Sequence, residues 1–271
     1  MAPFARIEEF RKRINRLSGL ALDIIFPVEC FGCGREGEWI CSECFLNLPF
    51  KDSQYCLGCK AESRLGEFCA DCRRRYHLDG VLIAGDYENE LLAKSIKNIK
   101  YHLVKQAAEI IGNYLAAFLV NETKKLKVSL ADLKAGRIWE KVEGAQDAPG
   151  LFFNLEEALI IPVPLHPRRE RSRGFNQADI IARTAAHNLS IPYSTGALIR
   201  VKQKTPQAKL GEEERKKNII GCYGWSGGRL GEKDVLLVDD VATTGATLNE
   251  CAKTLKANGA RTVWGLVVAK G

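Results

Sequence analysis

The sequence lacks several features, and each absence removes a class of protein. No apolar run reaches the roughly 20 residues that a membrane-spanning helix requires. The nearest candidate, Leu17 to Phe26 behind Arg11, Lys12 and Arg13, is interrupted by Asp23, and no small-residue cleavage site follows it. Neither a secretory leader nor membrane insertion is expected, and the reading is of a cytoplasmic protein. No internal repeat is visible apart from a doubled cysteine pattern, which argues against a solenoid. Charge of one sign is not in great excess either. A net +7 over 271 residues is too modest to require a nucleic-acid partner, and its surplus of Lys and Arg falls on residues 151–271. No residue presents itself as a general base: His166 sits in an arginine-rich stretch and reads as structural.

What is abundant is cysteine. Eight of the ten cysteines form four C-x-x-C pairs: Cys30 and Cys33, Cys41 and Cys44, Cys56 and Cys59, Cys69 and Cys72. This spacing favours metal over cross-links, and thiolate ligands require a reducing compartment. Each pair offers two sulfurs to one ion, so two pairs complete a tetrahedral four-thiolate site. Eight thiolates then imply two Zn²⁺ ions, with sequential grouping (30, 33, 41, 44 and 56, 59, 69, 72) favoured over a cross-braced arrangement. Sites filled entirely by sulfur are structural rather than catalytic. An iron–sulfur cluster or a redox dithiol shares the spacing. Cys222 and Cys251 stand alone and read as small buried apolar residues.

The length suits one large core plus a smaller module. A helix is expected over 1–26, a double zinc-ribbon-like module over 27–79, and an α/β domain over 80–271. Strands are predicted at Gly80–Tyr87, Ala158–Val163, Ile219–Trp225, Val235–Val238 and Thr262–Ala269. Helical spacing marks Leu91–Ile99, Val104–Phe118, Phe175–Leu189 and Leu248–Leu255. Alternation of strand and helix predicts an α/β fold, an open and mostly parallel sheet with helices on both faces. Residues 121–157 are polar and weakly periodic and read as an insertion.

The most informative stretch is Val235 to Leu248. Four apolar residues predict a buried parallel strand, and Asp239 and Asp240 stand at its carboxyl end, where open α/β sheets hold ligands. Thr243, Thr244, Gly245, Ala246 and Thr247 follow at a helix N-terminus. There, free N–H groups and the helix dipole favour an anion, small side chains let the backbone close around a phosphate, and threonine hydroxyls add donors. Paired carboxylates suit the vicinal hydroxyls of a ribose, or a hydrated Mg²⁺. A phosphate cup beside a diol binder is a sugar-phosphate site, and the stretch resembles the 5-phosphoribosyl-1-pyrophosphate (PRPP) signature of type I phosphoribosyltransferases.

Between two predicted elements, Arg168, Arg169, Arg171 and Arg173 crowd six positions at a strand end and form a second anion site. Guanidinium groups bind phosphate bidentately, so pyrophosphate is the natural guest, against the plainer reading of a solvated charge run. The segment Arg200–Asn218 is dense in charge and reads equally as a lid or as an exposed mixed-charge helix.

Taken in order, the cysteine pairs, Pro162–Arg169, Arg173–Gln177, then Gln207, Leu210, Arg215 and Asn218, and finally Val238–Thr247 resemble the ComF family of phosphoribosyltransferase-like competence proteins. The resemblance covers about residues 20–119 and 158–270. It implies a zinc-bearing N-terminal module on a type I phosphoribosyltransferase fold and PRPP as ligand; in an enzyme displacing pyrophosphate from PRPP, Mg²⁺ would bridge pyrophosphate and ribose oxygens. It also implies, in members from transformable bacteria, a role in handling incoming single-stranded DNA, which makes single-stranded DNA and other DNA-uptake proteins the candidate partners. Three functions remain open at this point: phosphoribosyl transfer to a nitrogenous acceptor, a non-catalytic sensor of PRPP that binds single-stranded DNA, and a regulator of nucleotide metabolism.

Overall fold

The computed structural model describes residues 27–125, 158–201 and 219–271. The helix expected over 1–26, nearly all of the expected insertion and most of the charged segment after Arg200 lie outside the described residues. The chain divides into two compact units, Met1–Leu48 and Pro49–Gly271.

In the first unit a tight turn carries Cys30 and Cys33. Gly34 N–H donates to the Cys30 carbonyl at 2.9 Å, and Cys30 N–H to the Arg35 carbonyl at 2.9 Å. Phe31 and Trp39 pack with ring centroids 5.4 Å apart, and helix α1 (Ser42–Leu46) begins immediately after Cys41.

The second unit opens with a two-stranded antiparallel ribbon, β1 (Gln54–Tyr55) and β2 (Glu62–Ser63), and helix α2 (Ala70–Arg73), which together carry the second cysteine group. Then come β3 (Gly80–Asp86), α3 (Glu90–Lys97), a π-helical turn (Asn98–His102) and α4 (Lys105–Lys125). After the undescribed stretch follow β4 (Leu159–Pro162), α5 (Pro167–Arg173), α6 (Gln177–Leu189), β5 (Leu198–Arg200), β6 (Tyr223–Trp225), β7 (Val235–Ala242), α7 (Ala246–Ala257) and β8 (Val263–Lys270).

Four strands form a wholly parallel sheet in the order β3-β8-β7-β4. Continuous apolar runs explain this: strands covered on both faces have no solvent side on which to place polar residues. On one face Val81, Ile83, Val235, Leu237, Val263 and Val267 meet Leu248, Cys251, Ala252 and Leu255 of α7. The same cluster contains Cys56, Leu57, Phe68, Cys72 and Leu78, so the second cysteine module is part of this core. Helices α4 and α6 pack on each other and on the sheet, α6 against β4 and β7, α4 against β3 and β8. The amino ends of β7 and β8 are tied by Asp234, fully buried, which accepts from Arg261 at 2.9 and 2.6 Å and from the Thr262 hydroxyl at 2.8 Å. Close approach of strands fixes Gly80, where a Cβ would lie 2.3 Å from the buried Trp264 ring.

Three elements differ from the sequence expectation. Only Tyr223–Trp225 of the predicted 219–225 strand is extended; Cys222 N–H turns back to the Ile219 carbonyl at 3.1 Å and Ile220 is 56% exposed. Strand β7 continues past Val238 to Ala242, because the long β8 supplies pairing partners as far as Lys270. The arginine stretch is helix α5 rather than an open loop. Pro167 sits in its first turn, the His166 side chain caps it, and Gly174 at φ 78° ends it.

Candidate functional site: the carboxyl edge of the parallel sheet

The parallel sheet presents the carboxyl ends of β4 and β7 at one edge, and the residues singled out from sequence gather there or close by. Gly245, at φ 72°, turns the chain from β7 into α7. Among the described residues no side chain caps this helix, and Thr244 Oγ1 accepts from Ala246 N–H only at a long 3.4 Å. The amino end of a twelve-residue helix therefore presents its leading N–H groups beside Thr243, Thr244 and Thr247. Leu57 of the second cysteine module packs directly on the turn: a Cβ on Gly245 would lie 2.5 Å from Leu57 Cδ2.

Because β7 runs on through the two aspartates, strand alternation sends their side chains to opposite faces. Asp239 faces the side of Tyr223 and Cys251 and accepts from Asp240 N–H at 2.9 Å. Burial, and then the neighbouring Asp240 charge, raise the Asp239 carboxyl to about 8. Asp240 is 5% exposed and points the other way, where Lys100 Nζ meets its Oδ1 at 2.8 Å. Its Oδ2 is buried without a hydrogen-bond partner.

Arg168, Arg169 and Arg171 are exposed on α5, while Arg173 is partly buried and donates to Gln177 Oε1. His166 Nδ1 accepts from Arg168 N–H at 3.1 Å, and burial with the cations of Arg200, Arg168, Arg171 and Arg169 holds its imidazole below the ordinary value. A neutral, N-capping imidazole fits the structural role read from sequence. Asn176 anchors the next turn, donating to the Val163 carbonyl at 3.0 Å and accepting from Ala178 N–H.

Three site residues escaped the sequence reading. Lys100 reaches Asp240 from the π-helical turn. Arg200 lies over the Tyr223 ring at 5.7 Å, lines a cavity of about 230 Å³ with Pro164, Asn176 and Asp179, and has a buried Nε without a partner. Tyr223 completes the Asp239 side, its phenol raised above the usual range chiefly by burial.

The two cysteine groups form as the spacing predicted, sequentially. The Sγ atoms of Cys30, Cys33, Cys41 and Cys44 lie within 4.8 Å of one another, as do those of Cys56, Cys59, Cys69 and Cys72. Cys33 and Cys41 sulfurs are 3.7 Å apart and Cys59 and Cys69 sulfurs 3.6 Å. These separations match the edge of a tetrahedron with Zn–S of about 2.3 Å. Cys41 N–H donates to Cys30 Sγ at 3.3 Å and Arg75 to Cys72 Sγ at 3.5 Å, the contacts a thiolate attracts. Each group is a zinc-binding site of four cysteines. Among the described residues no helix is long and apolar enough to cross a membrane.

Residues 21–78 match the double zinc ribbon domain. Competence protein F of Haemophilus influenzae is 30% identical over 84% of this chain and 96% of its own length. Competence protein ComFC of Bacillus subtilis is 31% identical over 83% of this chain and 81% of its own. DNA utilization protein YhgH of Salmonella typhi shares 38% identity over a shorter stretch, 38% of this chain and 45% of its own. With relatives at this identity over more than four fifths of both chains, the chain belongs to the ComF family.

Proposed function

We propose that the carboxyl edge of the sheet binds PRPP as its Mg²⁺ complex, that the protein transfers the phosphoribosyl group to a nitrogenous acceptor, and that it works in the cytoplasm during DNA uptake. The carrying observation is the uncapped α7 amino terminus, entered through Gly245 and lined by threonines, next to a buried carboxylate with a free oxygen. Thr243 to Thr247 hold the 5-phosphate through backbone N–H groups and hydroxyls. Asp239 and Asp240 serve the ribose; the partnerless Asp240 Oδ2 fits a donor such as a ribose hydroxyl or a water of hydrated Mg²⁺. Arg168, Arg169, Arg171 and Arg173 neutralise pyrophosphate as it departs. Bound Mg²⁺ supplies further neutralisation of that charge. The protein's own work is positioning: a phosphate fixed at one end and a diol at the other aim C1 at the acceptor.

A second reading rests on the relatives named for competence and DNA utilization. In it the same cradle senses PRPP without turnover, and single-stranded DNA or a DNA-uptake protein is the partner. The exposed arginines of α5 are its support. Calorimetric titration with PRPP, with and without Mg²⁺, tests the shared claim. Asp240→Asn is expected to weaken binding at least tenfold, and unchanged affinity rejects the assignment. A nucleobase screen for pyrophosphate release then separates the readings: turnover selects the transferase. Absence of turnover, with salt-dependent binding of single-stranded DNA, selects the sensor.

A further inference from the structure

A groove beside α7 takes no part in the proposed transfer. Tyr76, just past the second cysteine group, Ile220 in the turn before β6, and Asn249 and Glu250 on α7 line a space of about 290 Å³. It meets the proposed phosphate turn only at Thr244 and Ala246; neither Asp239, Asp240, Lys100 nor any α5 arginine lines it. A ligand seated there is therefore not the acceptor that attacks ribose C1. The volume lies at the small end of ligand sites, which begin near about 300 Å³, and suits one ring system.

Each wall is fixed by a structural contact and keeps binding capacity. The Tyr76 ring stacks on Phe68 with centroids 4.4 Å apart, and a Cβ on Gly58 would lie 3.1 Å from its Cε2. The second cysteine group thus holds this ring rigid while part of it stays exposed. Asn249 Oδ1 accepts from His77 N–H at 2.6 Å and from Leu78 N–H at 3.4 Å, which orients the amide and leaves its Nδ2 to donate. Glu250 is 8% exposed, and Gly221 N–H, 2.7 Å from its Oε1, occupies one of about four acceptor sites on the carboxylate. Ile220, 56% exposed, adds an aliphatic wall. A held aromatic face, an aliphatic face, an amide donor and a carboxylate acceptor around a ring-sized space complement a nucleobase, which offers a π-face and in-plane donors and acceptors. We propose that this groove binds a single nucleobase, with Tyr76 as the stacking wall and Asn249 and Glu250 as the hydrogen-bonding edge. A free nucleoside and a nucleotide within a single strand present the same base. The groove is a second site and does not depend on the sugar-phosphate reading.

The experiment titrates adenosine, guanosine, cytidine and thymidine into the zinc-loaded full chain by ligand-observed NMR, and a short mixed-sequence single strand by fluorescence anisotropy. The same titrations are run on Tyr76→Leu, Ile220→Asp and Glu250→Gln, with ribose 5-phosphate, which has no base, as control. At least one nucleoside is expected to bind wild type. Tyr76→Leu should weaken it about tenfold, as loss of one base–aromatic stack does. Glu250→Gln should weaken it about fivefold, because a neutral acceptor replaces an ionised one. Ile220→Asp, a change at an exposed position that spares the core, should weaken it by a similar factor through the charge placed against the ring. Unfolding midpoints show whether each variant is folded, and ribose 5-phosphate should not distinguish the variants from wild type. Binding of the strand alone, weakened in the same variants, supports the groove and identifies the strand as the source of the base. Wild type that binds neither nucleoside nor strand overturns the proposal, as does binding that all three variants leave within about twofold. Losses that ribose 5-phosphate shares place the base at the α7 turn instead and also overturn it.

Discussion

Gly245→Ala tests the link between the cysteine module and the cradle. The residue sits at φ 72°, where an alanine costs about 1 kcal/mol. Its Cβ would lie 2.5 Å from Leu57 Cδ2 and 3.6 Å from Leu57 Cγ. The overlapping atom is the end of a side chain that can yield in part, so the overlap belongs at the low end of the overpacking range, about 1 kcal/mol. A destabilisation of about 2 kcal/mol is therefore expected. Leu57→Ala alone costs about 2 kcal/mol by vacating a buried site at its margin. In the double variant the overlap disappears, so its loss should fall short of the sum by about 1 kcal/mol. Urea unfolding of the four proteins measures the cycle, and PRPP titration of the same four reads the cradle. Additivity within about 0.3 kcal/mol refutes the contact as an energetic link. PRPP affinity unchanged in Gly245→Ala refutes the turn as the phosphate site.

Zinc analysis of the purified chain should find two ions, and Cys72→Ser should leave one and lower the unfolding midpoint, since Cys72 lies inside the α7-facing core. Two zinc ions retained in Cys72→Ser would exclude that grouping. Arg169→Ala with Arg171→Ala should weaken PRPP about tenfold or more and leave ribose 5-phosphate nearly unaffected, because only PRPP carries pyrophosphate; equal losses for both ligands would remove α5 from that role. Asp239 gives a pH signature. Its carboxyl lies near 8 when folded against an ordinary 3.8, so the folded protein holds a proton that the unfolded chain releases. Stability from this group is thus present below the ordinary carboxylate range and declines as pH rises towards 8, and Asp239→Asn should flatten that slope. Identical slopes in wild type and variant would contradict the burial of this carboxyl.

The sheet is legible in the sequence because its strands are uniformly apolar and its helices amphipathic, and the zinc ligands because C-x-x-C geometry is local. The strand, turn and helix start around Asp239, Asp240 and Thr243–Gly245 are legible for the same reason, because they follow one another within a short stretch of chain. Features that depend on distant residues leave no such mark. Lys100 joins the site through a π-helical turn that shifts its register by one residue, and its partner Asp240 lies in another part of the chain. Arg200 reads as the start of a charged segment; only pairing of β5 with β6 places it over Tyr223. The arginine stretch reads as a loop because its charge density outweighs the quieter signals of a proline at the start and a glycine at the end. Strand β7 outruns its predicted end because β8, not β7 itself, decides how far pairing extends.

The β5–β6 hairpin has a consequence for how this family can vary. Val201 N–H donates to the Cys222 carbonyl at 2.8 Å, so the two ends of the intervening stretch are stapled side by side whatever lies between. The staple joins β5 to β6, in a sheet separate from β3-β8-β7-β4, so a change between its ends does not act on the parallel pairing directly. Exchange of that stretch is accordingly expected to leave the two cysteine groups and the sheet order β3-β8-β7-β4 as they are.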